Sequence, residues 1–140
     1  SHVSPMILTI IPYSHQYQTA VIDLWRQCKL IVPSNDPIED IRKKMEFQPS
    51  LFFIALFRDQ VIGSIMVGYE GHRGWINYLA VLPSFQKQGY GKLLINKAIT
   101  VLCKLGCVKV NLQIRSNILP VIEFYQHLGF KQEDRIISGL

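Results

Sequence analysis

The sequence predicts one α+β domain built around a mixed β-sheet. Segments with strand-like and helix-like spacing of apolar residues follow one another in the order βααβββαβαβ, so an antiparallel start gives way to a β-α-β crossover. The chain has 140 residues, of which 49% are hydrophobic and 18% are charged, and this balance suits a single folded core. We expect one domain over residues 1–140, with Ser1-His2 a cloning remnant ahead of Met6.

The first half of the chain predicts a strand, two helices and a β-hairpin. Ser14 is the expected N-cap of a segment in which apolar residues recur at helical spacing as far as Cys28. Asp36 followed by Pro37 is the pattern of an N-cap and first turn, and the helix that they begin ends near Pro49. The predicted strands of this half are Met6–Ile11, Leu51–Phe57 and Val61–Tyr69, the last two paired as the hairpin.

The second half of the chain predicts a β-α-β unit followed by one more helix and strand. Trp75–Val81 is the first strand of the unit, and the helix after it ends at Gly106, a typical residue just beyond a helix terminus. Val108–Ile114 alternates in the manner of a strand. Asn117 precedes the last helix, and Phe130 opens the final strand.

Charge and hydropathy exclude several classes of protein. Lysine and arginine number 15 and aspartate and glutamate 10, and the net charge of +5 suits an anionic ligand as well as ordinary solubility. The compact basic cluster Arg42-Lys43-Lys44 also fits the polar face of a helix, so we expect no nucleic-acid partner. No apolar run reaches the roughly 18 residues that a membrane-spanning helix needs, so we expect no membrane partner.

Cysteine and histidine spacing predicts neither a disulfide framework nor a metal site. The three cysteines, Cys28, Cys103 and Cys107, are too few and too poorly spaced for disulfides, and the sequence has no Cys-x-x-Cys. We therefore expect no metal, and thiols that pack as small apolar groups in a reducing, cytoplasmic compartment.

The segment Gln86–Gly91 lies between a predicted strand and a predicted helix and indicates a binding site for a pyrophosphate. A helix N-terminus presents N–H groups without intrahelical partners and the positive end of the helix dipole. Gly89 and Gly91 permit a tight turn and the close approach of a phosphate, and Lys87 and Lys92 add positive charge. The P-loop pattern is absent, and the Gly-x-Gly spacing comes too late in the chain for a dinucleotide fingerprint.

Three segments resemble the GNAT superfamily of acyl-CoA N-acyltransferases, and the resemblance spans most of the chain. Gln86-Lys87-Gln88-Gly89-Tyr90-Gly91 is similar to the phosphate loop of the family, and it follows Leu79-Ala80-Val81-Leu82-Pro83 at the offset usual there. Asn117 and the later Phe124-Tyr125-Gln126-His127-Leu128-Gly129-Phe130 are similar to the C-terminal pattern of the family. The stretch from Gly68 to Gly74 is similar to a small bacterial subgroup of single-domain members.

The resemblance implies the GNAT fold and acetyl-CoA as co-substrate. That fold is an α/β/α arrangement in which a twisted mixed sheet of about six or seven strands is flanked by about four helices. Trp75–Val81 and Val108–Ile114 are then expected to splay apart, and the main chain of the first strand to pair with the pantetheine arm as an added strand would. The expected cofactor-binding residues are Leu79, Ala80, Val81, Gln86, Lys87, Gln88, Gly89, Tyr90, Gly91, Lys92 and Asn117.

The implied reaction is direct attack of a primary amine on the thioester. Tyr125 is the expected general acid, because a phenol (pKa about 10) and a thiol (about 8.5) are close enough for proton transfer to the leaving thiolate; a core aromatic is the alternative. The general base that takes the proton of the attacking ammonium is left unassigned. Asn77 and Gln113 occupy the strand positions where a carboxylate would serve, so Glu70, His72 or a chain of waters remain.

The acceptor and the oligomeric state also stay open at this point. A small-molecule amine and a protein amine both fit, and the acceptor pocket is expected among Tyr69, Arg73, Trp75 and the loop Leu30–Asp36. A homodimer is compatible with the family. A non-catalytic acyl-CoA-binding or regulatory module is the alternative function, with a basic interaction domain as a third candidate.

Overall fold

A computed structural model of the chain describes residues 8–112. Its centre is a five-stranded sheet in which the strands lie in chain order. The first three neighbouring pairs are antiparallel, and the last pair is parallel because a helix connects its strands. The strands are β1 (Leu8–Pro12), β2 (Phe52–Phe57), β3 (Gln60–Tyr69), β4 (Arg73–Val81) and β5 (Lys109–Leu112).

Three α-helices accompany these strands: α1 (Gln18–Gln27), α2 (Pro37–Phe47) and α3 (Tyr90–Lys104). Adjacent residues of β3 show that α1 and α3 lie on opposite faces of the sheet, since side chains alternate along a strand. Ser64 bonds to Trp25 of α1, whereas a Cβ at Gly63 would meet Leu94 of α3 at 2.9 Å. Gly63 is thus required by the close approach of α3 to the sheet.

The aromatic part of the core lies between α1 and the sheet. Trp25 and Phe52 are fully buried, and their ring centroids are 6.1 Å apart. Tyr13 stacks on Phe52 with centroids 4.5 Å apart, and Tyr78 of β4 stacks on the indole of Trp25 with centroids 3.8 Å apart. Rings stacked in this way bury large apolar surfaces and fix the height of α1 above β4.

β3 extends past the start of β2. The main-chain groups along this unpaired part of β3 bond to side chains from α2 and from the turn that follows α2. The Gln48 amide donates to the Tyr69 carbonyl over 2.7 Å and accepts from the Tyr69 N–H over 3.2 Å, as a neighbouring strand would. The Lys44 ammonium donates to the Val67 carbonyl and to Gln48 Oε1. Burial lowers the pKa of Lys44 to about 8, because desolvation disfavours the charged amine.

The predicted order of elements is confirmed as far as β5, and the α+β fold with it. The described residues hold five strands and three α-helices, while the last predicted helix and strand, from Asn117 onward, lie outside them. The prediction that Ser14 caps the first helix is corrected in one respect: Ser14 is the N-cap of the short 3-10 turn that precedes α1, and its side chain makes no capping bond. The chain enters α1 through a 3-10 turn, His15–Tyr17, in which the Ser14 carbonyl accepts from the Tyr17 N–H over 3.0 Å.

Two further predictions concern the packing of Cys103 and membrane-spanning helices. Cys103 is exposed, so the prediction that it packs as a small apolar group is wrong, because it falls on the outer face of α3. Within residues 8–112, no helix is long and apolar enough to cross a bilayer.

Candidate functional site: the β4–α3 loop and the bulge in β4

The loop between β4 and α3 ends on a left-handed residue. Gly89 is the N-cap of α3 with φ of +90°, and a Cβ built there would meet no atom within 4 Å. The first bond of the helix joins the Leu93 N–H to the Gly89 carbonyl over 3.2 Å. The N–H groups of Tyr90, Gly91 and Lys92 therefore lack intrahelical acceptors and lie at the positive end of the helix dipole. The backbone at Gly89 is therefore open to close approach from outside, with no side chain in the way.

The side chains of the loop divide into those that fasten it and those that stay exposed. Gln86 donates to the Val81 carbonyl over 2.9 Å, and Gln88 donates to the Ser84 carbonyl over 3.4 Å. Lys87 and Lys92 are exposed, and Lys87 itself adopts φ of +65°. The two glutamines therefore shape the loop, and the two lysines supply positive charge at its rim.

Tyr90 contributes its main chain to the loop and its ring to the core beneath it. Its ring lies 6.1 Å from that of Phe85, which in turn meets Phe57 of β2 edge-on at 5.4 Å. Because the ring is held in this aromatic row, the Tyr90 N–H stays at the helix terminus. The row ties the start of α3 to the end of β2.

The end of β4 is held from the α1 side as well as from the loop. Ala80 is buried, whereas Leu79 and Val81 are partly buried. The Val81 carbonyl accepts from the Cys28 thiol over 3.2 Å in addition to Gln86. Burial raises the pKa of the Cys28 thiol, so the thiol stays protonated at neutral pH and can donate. The sequence predicted only apolar packing for Cys28 and missed this bond.

A β-bulge interrupts β4 at Tyr78, directly before the predicted pantetheine-binding residues. Ser64 lies opposite Ala80 and Met66 lies opposite Asn77, so Tyr78 and Leu79 together face Ile65 on β3. Tyr78 has φ of +50°, a value that residues other than glycine rarely adopt in a strand. The sequence gives no local sign of this bulge, since the left-handed position in Trp75–Val81 holds a tyrosine and not a glycine or asparagine.

Tyr78 is bonded through both its side chain and its carbonyl. Its hydroxyl donates to Asp40 Oδ2 over 2.6 Å and accepts from the Asn35 amide over 2.7 Å. Its carbonyl accepts from the Ser64 hydroxyl over 2.7 Å. The Leu30–Asp36 loop, predicted to line an acceptor pocket, therefore does reach β4, through Asn35.

The acid-base candidates in the β3–β4 turn lie at the other end of β4. Glu70 Oε1 accepts from the N–H groups of His72 and Arg73 over 3.1 and 2.8 Å, so this carboxylate stabilises its own turn. Arg73 and Val81 are the two ends of a nine-residue strand, which spans about 26 Å at 3.3 Å per residue. The structure therefore separates Glu70 and His72 from the β4–α3 loop. Tyr69, Arg73 and Trp75 belong to the same end of the sheet.

The remaining predicted site residues lie outside the described part of the chain. Tyr125 and Asn117 fall beyond residue 112, as does the stretch of the second central strand that would face Asn77 to Val81. Pairing of β4 with β5 is described from Arg73–Lys109 to Ile76–Leu112. The described residues contain no group of three or more His, Cys, Asp or Glu side chains that could hold a metal ion.

Two features of the described residues fit a CoA-like ligand. Gly89 leaves open space where a side chain would otherwise lie, and this space is next to helix N–H groups that have no intrahelical acceptors. Asn77 Oδ1, beside the bulge, is buried and has no hydrogen-bond partner among residues 8–112. An anion at the loop and a polar chain running along β4 would meet complementary groups at both places.

Sequence comparison gives relatives over nearly the whole chain. The model of the acetyltransferase (GNAT) family matches residues 18–130. An acetyltransferase of Sodalis glossinidius is 38% identical over 125 residues, which cover 89% of this chain and 88% of that protein. An acetyltransferase of Yersinia enterocolitica is 40% identical over 119 residues, covering 85% of this chain and 84% of that one.

Solved structures share the fold at lower identity. The PaiA N-acetyltransferase of Thermoplasma acidophilum, solved with coenzyme A, has a TM-score of 0.75 at 18% identity, and the match covers 90% of this chain and 91% of that one. An N-acetylglutamate synthase of Neisseria gonorrhoeae, solved with coenzyme A and N-acetylglutamate, has a TM-score of 0.71 at 21% identity, covering 91% and 29%. With a family model over most of its length and relatives near 40% identity, the chain belongs to the GNAT acetyltransferase family.

Proposed function

We propose that the protein transfers an acetyl group from acetyl-CoA to a primary amine. The observation that carries this proposal is the left-handed Gly89 at the start of α3, with open space above it and N–H groups of the helix terminus around it. Relatives that match most of this chain are named acetyltransferases, and structural neighbours were solved with coenzyme A. The family, the loop and the charge of the chain all suit a CoA thioester.

Main-chain groups would supply most of the affinity for acetyl-CoA. The N–H groups of residues 87–92 would bind the pyrophosphate, with Lys87 and Lys92 at the rim. The main chain of Leu79–Val81 would pair with the pantetheine arm, whose amides can bond to a strand edge. Asn117 would add a hydrogen bond to the same arm. Gln86 would contribute to the cofactor site by shaping the loop, because its amide donates to the Val81 carbonyl, and the Cys28 thiol supports the same carbonyl from the α1 side.

The chemical step would be a direct transfer with no acyl-enzyme. The amine nitrogen forms a bond to the acyl carbon as the bond from that carbon to sulfur breaks, and the electron pair leaves with the CoA sulfur. Tyr125 would donate a proton to that thiolate. The proton released by the ammonium would pass along a chain of waters, which could end at His72, since His72 lies at the other end of β4 and Glu70 is engaged by its own turn.

The acceptor would be a small-molecule amine or a protein amine. The N-acetylglutamate synthase named above and an aminoglycoside N-acetyltransferase with a TM-score of 0.71 share the fold, yet the acceptors in their names differ widely. The fold therefore leaves the acceptor open. A cytoplasmic location fits the three free thiols of Cys28, Cys103 and Cys107.

A thiol-release assay tests the function. Purified protein is incubated with acetyl-CoA and a panel of amines that includes amino acids, polyamines, aminoglycosides and peptides with free N-termini, and free CoA is measured. We expect amine-dependent thiol release by the wild-type protein. We also expect Tyr125→Phe to reduce turnover about 100-fold while the Kd for CoA changes less than about twofold, because the phenol acts on the leaving group alone.

The outcomes separate the proposal from its alternatives. Tight CoA binding without transfer to any amine would favour a non-catalytic acyl-CoA-binding module, for which the amide at Asn77 in place of a carboxylate is the motivating feature. No rise in melting temperature with CoA would favour a basic interaction domain. Wild-type turnover in Tyr125→Phe would remove this tyrosine from the mechanism.

A further inference from the structure

We propose that Ser64 and Trp25 are positioning residues for the transfer reaction, which hold the left-handed bulge of β4 at Tyr78 in a single conformation. The inference rests on the proposed function, in which the main chain that follows the bulge binds the pantetheine arm. Neither residue belongs to the predicted phosphate loop or to the acceptor pocket. Both act, in this proposal, through the Tyr78 main chain.

The bulge is a conformation that needs outside support. A tyrosine at φ of +50° within a strand is strained, and such a residue persists where its surroundings hold it. An extended Tyr78 would return the strand to regular pairing. Because side chains alternate along a strand, a slip of one residue would move Leu79, Ala80 and Val81 each to the opposite face of the sheet. The bulge thus decides which main-chain groups these residues present to a ligand.

Ser64 and Trp25 form a hydrogen-bonded chain whose direction is fixed by chemistry. The indole N–H can only donate, and it donates to Ser64 Oγ over 2.8 Å. A carbonyl can only accept, so the single hydroxyl proton of Ser64 is directed to the Tyr78 carbonyl, over 2.7 Å. Ser64 has no exposed surface and is the one buried polar residue between Leu8 and Asn111. A hydroxyl placed there in an otherwise apolar core serves this bond.

Trp25 supports the bulge a second time through its ring. The indole and the Tyr78 ring are stacked with centroids 3.8 Å apart and planes 18° apart, and Trp25 itself is fully buried. The Tyr78 hydroxyl is bonded separately, to Asp40 and Asn35. The side-chain bonds therefore fix the tyrosine ring, whereas the Ser64 bond acts on the peptide group that the bulge reorients.

The experiment compares Ser64→Ala and Trp25→Phe with a matched control, Leu102→Val. Leu102 is buried on α3, on the opposite face of the sheet from Trp25, and lies against Gly74 at the other end of β4, so the control lowers stability without touching Tyr78. The readouts are the Kd for CoA by calorimetry, kcat for acetyl transfer to an amine that scores in the panel, and the melting temperature. Trp25→Phe keeps one aromatic ring at this buried position and removes the N–H donor together with part of the indole.

We expect Ser64→Ala to weaken CoA binding about 10-fold and to lower kcat by a factor of about 10 to 100, since small misplacements of reacting groups have effects of that size. Trp25→Phe is expected to have a smaller effect in the same direction. The double variant is expected to match Ser64→Ala within about twofold, because both changes remove the same chain of bonds. Leu102→Val is expected to lower the melting temperature but to stay within about twofold of wild type in Kd and kcat.

Unchanged Kd and kcat in Ser64→Ala, or effects that merely follow the melting temperature as in Leu102→Val, would overturn the inference. If Ser64→Ala does not fold, Trp25→Phe decides the matter against the same control. Failure of the proposed function is a different result: wild-type protein that neither binds CoA nor releases thiol. Active wild-type protein with an insensitive Ser64 refutes the positioning role alone.

Discussion

Gly89 shows how a single backbone angle can define a binding surface. Its φ of +90° turns the chain into α3, and the hydrogen in place of a side chain leaves the helix terminus uncovered. Gly106, just beyond the other end of α3, has a similar φ of +88°. The same helix therefore begins and ends on left-handed glycines, but only the first lies at the positive end of the dipole.

This pairing allows a matched test of the loop. We expect Gly89→Leu to weaken CoA binding at least 10-fold, because the new side chain enters the space above the helix N–H groups. Gly106→Leu carries the same left-handed strain, about 1–2 kcal/mol, and its nearest contact would be Tyr69 Oη at 3.8 Å. Calorimetric titration with CoA measures both variants. Equal affinities for the two would contradict a phosphate site at Gly89.

At the same scale, the sequence predicted Gly89 and missed Tyr78 for a clear physical reason. A glycine between a strand and a helix is a local signal, since glycine is the residue that adopts left-handed angles without strain. The bulge at Tyr78 depends on Ser64 and Trp25, which are 14 and 53 residues away in the chain, and bond or stack with it only in the folded state. Local spacing in Trp75–Val81 carries no trace of those contacts.

Among the elements, α2 links the surface loop to the bulge. Asp36 caps the helix by accepting from the N–H groups of Ile38 and Glu39 over 3.1 and 3.3 Å, as its position before Pro37 predicted. The next turn carries Asp40, which accepts from the Tyr78 hydroxyl. The cap therefore holds the turn that meets β4.

Removing this cap has a predictable effect on stability. We expect Asp36→Ala to lower the free energy of unfolding by about 1 kcal/mol, because two N–H groups lose their acceptor. Ser34→Ala, in the same loop and equally exposed, is the control and is expected to change it by less than about 0.5 kcal/mol. Urea unfolding followed by circular dichroism measures both. A loss in Ser34→Ala as large as in Asp36→Ala would show that the loop, and not the cap, sets the stability of α2.

For the whole molecule, Lys44 connects stability to pH. Its pKa is lowered from 10.5 to about 8 by burial against β3, so in the folded protein the amine loses its proton first. Between about pH 8 and 10.5 the unfolded chain then binds more protons than the folded one, and stability rises with pH. Below about pH 8 the amine is charged in both the folded and the unfolded state, so Lys44 does not make the free energy of unfolding depend on pH.

The comparison with Lys44→Met isolates this effect from other titrating groups. Between about pH 7.5 and 9.5 we expect the free energy of unfolding of the wild type to rise relative to the variant by about 1 kcal/mol, a figure reduced from the full shift because the side chain is half-buried. Urea titrations at both pH values give the difference. A wild type that gains nothing on the variant over this range would show that Lys44 keeps an ordinary pKa.

The overall architecture was largely predictable because it follows from short-range patterns. Alternation and helical spacing placed β2, β3, β4 and α3 within a few residues of their observed bounds. The side chains that bond to the main chain at the ends of the strands were not predictable. The bonds from Gln48 and Lys44 to β3 join residues 21 and 23 positions apart, and a glutamine before Pro49 gives no local indication that it will bond to a strand.

The Gln48 amide also bears on how copies of the protein behave in a concentrated solution. A strand that outruns its neighbour leaves unpaired N–H and C=O groups, and such groups can recruit a strand from another molecule. Here the glutamine satisfies both groups of Tyr69, and Lys44 donates to the Val67 carbonyl on the same edge of β3. Gln48 thus occupies main-chain groups of β3 on which a strand of a second molecule could otherwise pair.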